Sequence, residues 1–302
     1  MAEGFFQKQV IMRRVLYSLI PIYIFAFYMY GVRLLYLSVF VYGFGILTEY
    51  IFEKRKNRKV TEAVLVTCTL FVLSLPPKTP WWIASIGIIF GVLFAKEVYG
   101  GFGRNIFNPA IAARLFIYIT FPNIMTQAWA QPGNFGRMVN DVMTTATPLE
   151  ILANGGNIGL FNLFFGIRPG SMGEGPIFLI LIAAIYLILT KTASWKIMIS
   201  TFLSASILTV FLSLLAIPKL SNPLEFLFSG SLIFVTVFMA TDPVTAPKNE
   251  TSKWFYGIII GVTAILIRSF SLFPEGTSFA VLMGNTFAAL LDTAFFKKKV
   301  EA

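Results

Sequence analysis

Residues 100–116, GGFGRNIFNPAIAARLF, are the stretch on which the fold turns. Proline lacks an N–H and clashes with the turn before it, so no helix runs smoothly through Asn108-Pro109. A helix must begin there, with Asn108 as its cap and Pro109 in its first turn. The apolar run that follows, 109–121, is shorter than the roughly 20 residues of a comfortable membrane crossing. It also carries Arg114 between AIAA and LFIYITF, where the side chain cannot easily leave the apolar layer. Short, interrupted, charge-bearing helices are what buried segments of a polytopic membrane protein look like, because bare backbone is tolerated there only inside protein. An ordinary capped helix end at the membrane surface remains open on these residues alone.

The rest of the chain agrees with that class. Of 302 residues, 57% are hydrophobic, 32 are Phe and only 13% are charged, against roughly 25% charged in a soluble domain. This excludes a soluble globule, a disordered chain and a disulfide-stapled module. One cysteine allows no internal disulfide and no iron–sulfur cluster, and the absence of histidine removes His-ligated haem or zinc and His proton relays. The net charge of +10 lies in short loops between apolar runs, so it reads as topology and not as nucleic-acid binding.

Ten apolar segments can be marked, at 15–32, 34–52, 60–76, 81–95, 109–121, 176–190, 196–217, 227–241, 255–270 and 275–296. The opening MAEGFFQKQVIMRR lacks the form of a cleaved signal and reads as the lead into a retained first helix. With the N-terminus inside, 17 Lys and Arg fall on the inner side and 6 on the outer, leaving Arg114 within a segment. That asymmetry predicts ten spans with both termini cytoplasmic. The whole of 1–302 reads as one transmembrane domain: a first half over about 15–121, an external loop 122–175, and a second half over about 176–296. FMATDPVTAP closes the eighth segment with Asp242-Pro243, an echo of Asn108-Pro109 in the first half.

Charge at membrane depth is costly and tends to have a purpose. Arg114, Glu174, Asp242, Glu275 and Asp292 are the candidates. Arg114 either pairs with one of the acids or points at an anionic or carbonyl-bearing group. Glu275, in FPEGT, is either a helix-capping acid or a functional one, and Asp292, close to Lys297, Lys298 and Lys299, fits an interfacial residue. In the loop, DVMTTATPLEILANGG offers the hydroxyls of Thr144, Thr145 and Thr147. Pro148 as the first helical residue makes Thr147 an N-cap, and Glu150 three residues on completes a capping box. No base stands ready to activate any of these hydroxyls.

Taken together, the motifs resemble one family. GGFGRNIFNPAIAARLF, TTATPL at 144–149, GSMGEGP at 170–176, LTKTASWKI at 189–197, FMATDPVTAP at 238–247, KWFYGIIIGVTAILIR at 253–268 and PEGTSFAVLMGNTFAALLD at 274–292 occur in order. They resemble the D subunit of the Rnf electron-transport complexes and the related B subunit of the sodium-translocating NADH:quinone reductase. The resemblance implies an all-α fold of two inverted five-helix repeats with broken helices, like that of urea transporters. It implies FMN joined through its phosphate to the last threonine of S/T-x-A-T, which is Thr147. The family's usual Ser-Gly is replaced here by Thr144-Thr145, with the acceptor intact.

The resemblance further implies a second, non-covalent flavin, riboflavin, with Asn108, Asp242 and Glu275 as positions near a buried flavin or ion path. Arg137, Arg168, or N–H groups of ANGG and GSMG, are the candidates to hold the phosphate. No catalytic acid or base and no protein-bound metal are implied, because flavin carries the chemistry. The function implied is that of a plasma-membrane subunit coupling electron flow to Na⁺ or H⁺ movement, within an Rnf-type ferredoxin:NAD⁺ oxidoreductase. Its partners would be a subunit with its own covalent FMN and small membrane subunits. The short lead to the first span favours the Rnf type, whereas Arg114 in AARLF favours the quinone-reductase type. A urea-type channel and a purely structural membrane subunit are the readings from other classes.

Overall fold

A computed structural model describes residues 5–133, 135–136, 145–215, 220, 222–271 and 276–295. Every one of the ten apolar segments contains helix. The first half holds α1 (Val10–Tyr30), α2 (Val32–Arg55), α3 (Ala63–Leu73), α4 (Trp81–Val92) and α5 (Pro109–Thr120). Among the described residues, the loop carries three short helices, α6 (Pro122–Thr126), α7 (Pro148–Ala153) and α8 (Leu160–Phe165). The second half holds α9 (Ile177–Leu189), α10 (Trp195–Leu214), α11 (Pro223–Phe228), α12 (Leu232–Phe238), α13 (Glu250–Phe270) and α14 (Gly276–Ala294). A parallel two-residue pairing of β1 (Phe6–Gln7) with β2 (Val60–Thr61) ties the N-terminal strand to the start of α3.

Among the described residues, four helices are long and apolar enough to cross a membrane: α1, α2, α10 and α13. α3, α5 and α9 are apolar but shorter, and α14, at 19 residues, is long enough but less apolar. The segment 227–241 does not form one helix as the hydropathy suggests. It breaks at Ser229–Ser231, where Ser229 is extended and Gly230 takes φ +64°, separating α11 from α12. Likewise α4 does not run on as an α-helix past Val92. It passes into a π-turn at Leu93–Glu97.

The two halves pack by the same plan. α2 packs on α3 and α4, and α4 on α5; α10 packs on α11, α12 and α13, and α13 on α14. α1 meets α3 as α9 meets α12. The halves join where α1 touches α9 and α5 touches α14. In lipid, helices gain little from apolar contact with each other, so close approach through small residues matters. α4 presents Gly87 and Gly91, four apart on one face, to Ile117 and Ala113 of α5. α13 presents Gly257 and Gly261 to Ser200 and Ser204 of α10.

Broken helices leave carbonyls without partners, and each must be met inside the protein. Leu73 O and Leu75 O, at the end of α3, accept from Gly173 N at 2.7 Å and Met172 N at 3.1 Å. Arginines meet several others. Arg33 donates to Pro77 O and Thr79 O, Arg14 to Thr190 O, Arg268 to Ser229 O, and Arg168 to Gly230 O. A guanidinium suits this task because its donors are fixed in a fork and it never loses its charge.

Candidate functional site

Three clusters among the described residues contain the site residues that the sequence singles out. The first surrounds Asn108. Its side-chain oxygen caps α5 by accepting from Ala110 N at 3.0 Å and Ile111 N at 3.3 Å. Its Nδ2 donates to Asp242 Oδ2 at 3.1 Å, joining the two proline motifs of the two halves. Its own N–H donates to Asn285 Oδ1 at 3.2 Å, and Asn285 Nδ2 donates to the Tyr256 hydroxyl at 2.7 Å. Asp242 Oδ1 accepts from Val244 N at 2.9 Å, so the carboxylate shapes its own turn and caps no long helix. Beside this cluster lies a cavity of about 50 Å³ whose polar lining includes Lys96, Asn105, Asn108 and Asp242. Asn105 is buried, and its Oδ1 finds no partner among the described residues. The cavity therefore presents an unused acceptor beside a carboxylate.

The second cluster is Arg114 with Glu174 and Ser171. Arg114 is 1% exposed; its guanidinium pairs with the Glu174 carboxylate and reaches Ser171 Oγ at 3.3 Å. Of the two roles open to Arg114, the structure adopts the ion pair, and it locks α5 to the 170–176 motif. Arg168 lies on the other side of that motif. It is buried, and its Nη2 donates to Glu174 O and Gly230 O. It faces main-chain carbonyls, not open loop. Asp292, expected at the interface, accepts from Lys248 N at 2.8 Å and Asn249 N at 3.0 Å, which anchors the start of α13.

The third cluster is the start of α7. Thr147 is extended at φ −72°, ψ 157°, with Pro148 as the first helical residue. Its Oγ1 accepts from Glu150 N at 3.4 Å, and its N–H donates to Glu150 Oε2 at 2.7 Å. This is the capping box that T-P-L-E predicts. The hydroxyl is half-exposed, and only its acceptor side is used. Two residues earlier, the buried Thr145 Oγ1 finds no partner among the described residues. The glycine-rich loops are committed elsewhere. Gly155 N and Gly156 N close the end of α7 on Leu152 O and Ile151 O, while Met172 N and Gly173 N serve α3. Neither loop keeps those N–H groups for a phosphate. Arg137, Thr144 and Glu275 lie outside the described residues.

Sequence reading did not single out Asn285, Asn105, Tyr256, Glu49 or Lys96. Asn285 had a usable signal, an amide inside FAVLMGNTFAALL, which a search limited to ionisable groups passes over. Lys96 and Glu49 look like loop-edge charges but are 2% and 0% exposed. Lys96 Nζ sits 2.6 Å from Glu49 Oε2 and 2.9 Å from Thr61 Oγ1, and Thr61 in turn gives both its N–H and its hydroxyl to Glu49 Oε1.

A family model described as NQR2, RnfD, RnfE matches residues 6–301. Among relatives, the B subunit of the Na(+)-translocating NADH-quinone reductase of Pseudomonas aeruginosa is 38% identical over 273 residues, covering 85% of this chain and 65% of that protein. The subunit of the same name from Azotobacter vinelandii is 37% identical, covering 81% of this chain and 62% of that protein. That from Klebsiella pneumoniae is 37% identical, covering 85% and 65%. The chain thus spans slightly less than two thirds of the length of these relatives.

Proposed function

The chain belongs to the NQR2, RnfD, RnfE family, and from that premise we propose that it is a membrane subunit of a redox-driven ion-translocating complex, with FMN attached to Thr147. The observation that carries this reading is the state of Thr147: a half-exposed hydroxyl, held in fixed geometry by its capping box, near a Thr145 hydroxyl with no partner among the described residues. Bound flavin supplies reversible electron transfer. The chain's residues supply the tether, the orientation and the exclusion of water. Attachment through the threonine oxygen would leave the backbone bond from Thr147 N–H to Glu150 untouched, so α7 keeps its start. Arg168, already held by two carbonyls, would fix the floor of this loop, and Arg137 is the cation we assign to the phosphate.

We assign a second, non-covalent flavin, riboflavin, to the pocket of Asn105, Asn108 and Asp242. A flavin's pyrimidine edge carries an N–H between two carbonyls. The unused Asn105 Oδ1 and the Asp242 carboxylate can accept from such an edge, while the Asn108 amide, bonded to Asp242 and Met239 O, holds the carboxylate in place. The cavity of about 50 Å³ is smaller than a tricyclic ring, so these side chains would hold only its polar edge. Arg114, paired with Glu174, takes a structural part in fixing the 170–176 motif to α5, and Glu275 stays a candidate for the ion path.

We place the subunit in an Rnf-type ferredoxin:NAD⁺ oxidoreductase complex, moving Na⁺ or H⁺. A partner with its own covalent FMN would meet the external loop, and small membrane subunits would flank the bundle. A second reading, the B-type subunit of a Na⁺-translocating NADH:quinone reductase, is favoured by the 38% identity to such proteins. The shared packing plan of α1–α5 and α9–α14 supports the ten-segment inverted repeat. The excess of Lys and Arg on one side supports cytoplasmic termini in the plasma membrane.

The test is the intact mass of the purified chain, co-expressed with a flavin transferase, beside Thr147→Ala. Covalent FMN adds about 0.44 kDa to the wild type and nothing to the variant, the cofactor being a discrete chemical unit. An unmodified wild type, with the transferase shown active on another substrate, would move the assignment to a channel or scaffold. Acid extraction of the Thr147→Ala protein tests the second flavin. It should still release riboflavin, and Asp242→Asn in the same background should release less.

A further inference from the structure

The π-turn at Leu93–Glu97 buries two successive charged residues that the flavin reading does not require. In an α-helix, consecutive side chains point about 100° apart, so one of the two would ordinarily face outward. π-turns are rare and concentrate at functional sites. Here Lys96 and Glu97 are 2% and 4% exposed. Both meet α2, on which Glu49 and Glu53 lie one turn apart on one face.

The two contacts differ in kind. Lys96 and Glu49 form a balanced pair, completed by Thr61. Glu97 meets another acid. Lys56 Nζ lies 2.8 Å from Glu97 Oε2 and 3.0 Å from Glu53 Oε1, so one ammonium serves two carboxyl groups. Glu53 and Glu97 are thereby gathered on a single ammonium, two acids against one base. Ionised carboxylates only accept, so two of them held this way can bond to each other only with a proton between them. Moreover, Glu97 Oε1 is buried and finds no partner among the described residues. Gly101, at φ +96°, lets the main chain lie directly over the pair; a Cβ there would stand 2.6 Å from Glu53 Oε1.

Among the described residues, the cations traced around the pair are engaged elsewhere. Glu49, Glu53 and Glu97 stand against Lys56 and Lys96, one positive charge short. Lys54 and Arg55 turn outward onto the rings of Tyr50 and Phe52. Arg58 reaches Gly100 O, and the Arg104 side chain lies against Gly100. The one charged residue of α5, Arg114, is engaged with Glu174. A buried carboxylate short of a counter-charge takes up a proton more readily than it stays ionised.

We propose that Glu53 and Glu97 form a proton-binding pair that holds one proton between them at neutral pH. The half-exposed Lys56 marks the route by which the proton exchanges with water. The site is separate from either flavin position, and the proposal stands whether or not flavin is bound. It adds to the molecule a group that takes up one proton without any change in bonding between heavy atoms.

Infrared difference spectroscopy of the purified chain in H₂O and D₂O tests it, using wild type, Glu97→Gln and Glu53→Gln at about pH 7. The expected result is a protonated-carboxyl carbonyl band in the wild type that shifts in D₂O and is lost in either variant. Either variant alone suffices if the other does not fold. Absence of the band in the wild type overturns the proposal, as does its persistence in whichever variants fold. Replacing choline chloride by NaCl at constant ionic strength should leave the band unchanged. Its loss on adding NaCl would identify the missing charge as sodium and would equally overturn the proposal.

Discussion

Lys96→Met is the most exacting perturbation of the buried charge network. It keeps an unbranched stem of four heavy atoms, with sulfur in place of one methylene, and removes the ammonium. In the wild type, Glu49 accepts from Thr61 N at 2.8 Å, Thr61 Oγ1 at 2.6 Å and Lys96 Nζ at 2.6 Å, so the carboxylate is fully satisfied although 0% exposed. A charge pair at about 4 Å is worth about 4 kcal/mol at an effective dielectric constant of about 20. Removing one member of a buried pair costs about 3–5 kcal/mol, because the other charge stays behind. Lys96→Met should therefore lose about 3–5 kcal/mol, and Glu49→Met a similar amount. The double variant removes both charges and gains apolar packing. It leaves the two Thr61 donors without an acceptor, at about 1–3 kcal/mol. Its stability should return to within about 2 kcal/mol of wild type, since apolar replacement of a buried pair tends to be neutral or better. The assay is reversible unfolding in mixed micelles with rising dodecyl sulfate, read by tryptophan fluorescence and arranged as a double-mutant cycle. Single variants that each lose less than about 1 kcal/mol, or a double variant equal to their sum, would refute this account.

Other positions make independent predictions for the same unfolding assay. Gly257→Ala pushes a methyl group into Ser200, whose Cβ would lie 2.9 Å away, and should cost about 1–3 kcal/mol; adding Ser200→Gly should recover most of that loss. Asn285→Ala strands the Asn108 N–H and the Tyr256 hydroxyl, so a loss of about 1–3 kcal/mol is expected, with a weaker hold on any flavin extracted from the Asn108 pocket. Gly230→Ala forces φ +64° on an L side chain and should lose about 1–2 kcal/mol. Gly43→Ala, which meets nothing within 4 Å inside α2, should gain up to about 1 kcal/mol and serves as the control.

What was legible in the sequence follows from which signals are local. Apolar runs locate helices because a membrane or a buried core demands them, and all ten runs contain helix. Asn108 as a cap and the Thr147–Glu150 box are readable because each motif is complete within four residues. The break at Ser229–Ser231 is not, because Ser-Gly-Ser barely lowers the hydropathy of its run, and what permits the break is Arg168 and Arg268, both far away in sequence. Arg114 was recognisable as a charge in need of a partner, but its choice of Glu174 is a matter of tertiary geometry. Lys96 contributes to the positive-inside count as if it were a surface charge. Only the π-turn, which has no sequence signature here, turns it inward. The ANGG and GSMG loops illustrate the converse error. Glycine-rich loops suggest anion cradles, yet the N–H groups traced above are spent on helix ends.

The bond from Gly173 to Leu73 bears on how the chain is made. Synthesis runs from the N-terminus, and domains tend to fold in that order. α3 emerges early, but Leu75 O waits for Met172 N, which is translated 97 residues later (172 minus 75). Until then the end of α3 exposes carbonyls that lipid cannot satisfy. On that ground the nascent first half is expected to stay unfinished, with α3 near water or an insertion factor. The arrival of the GSMGEGP segment is the event that lets it settle. A ribosome stalled before residue 172 should accordingly leave α3 accessible to aqueous thiol reagents at Cys68, and one stalled well beyond it should not.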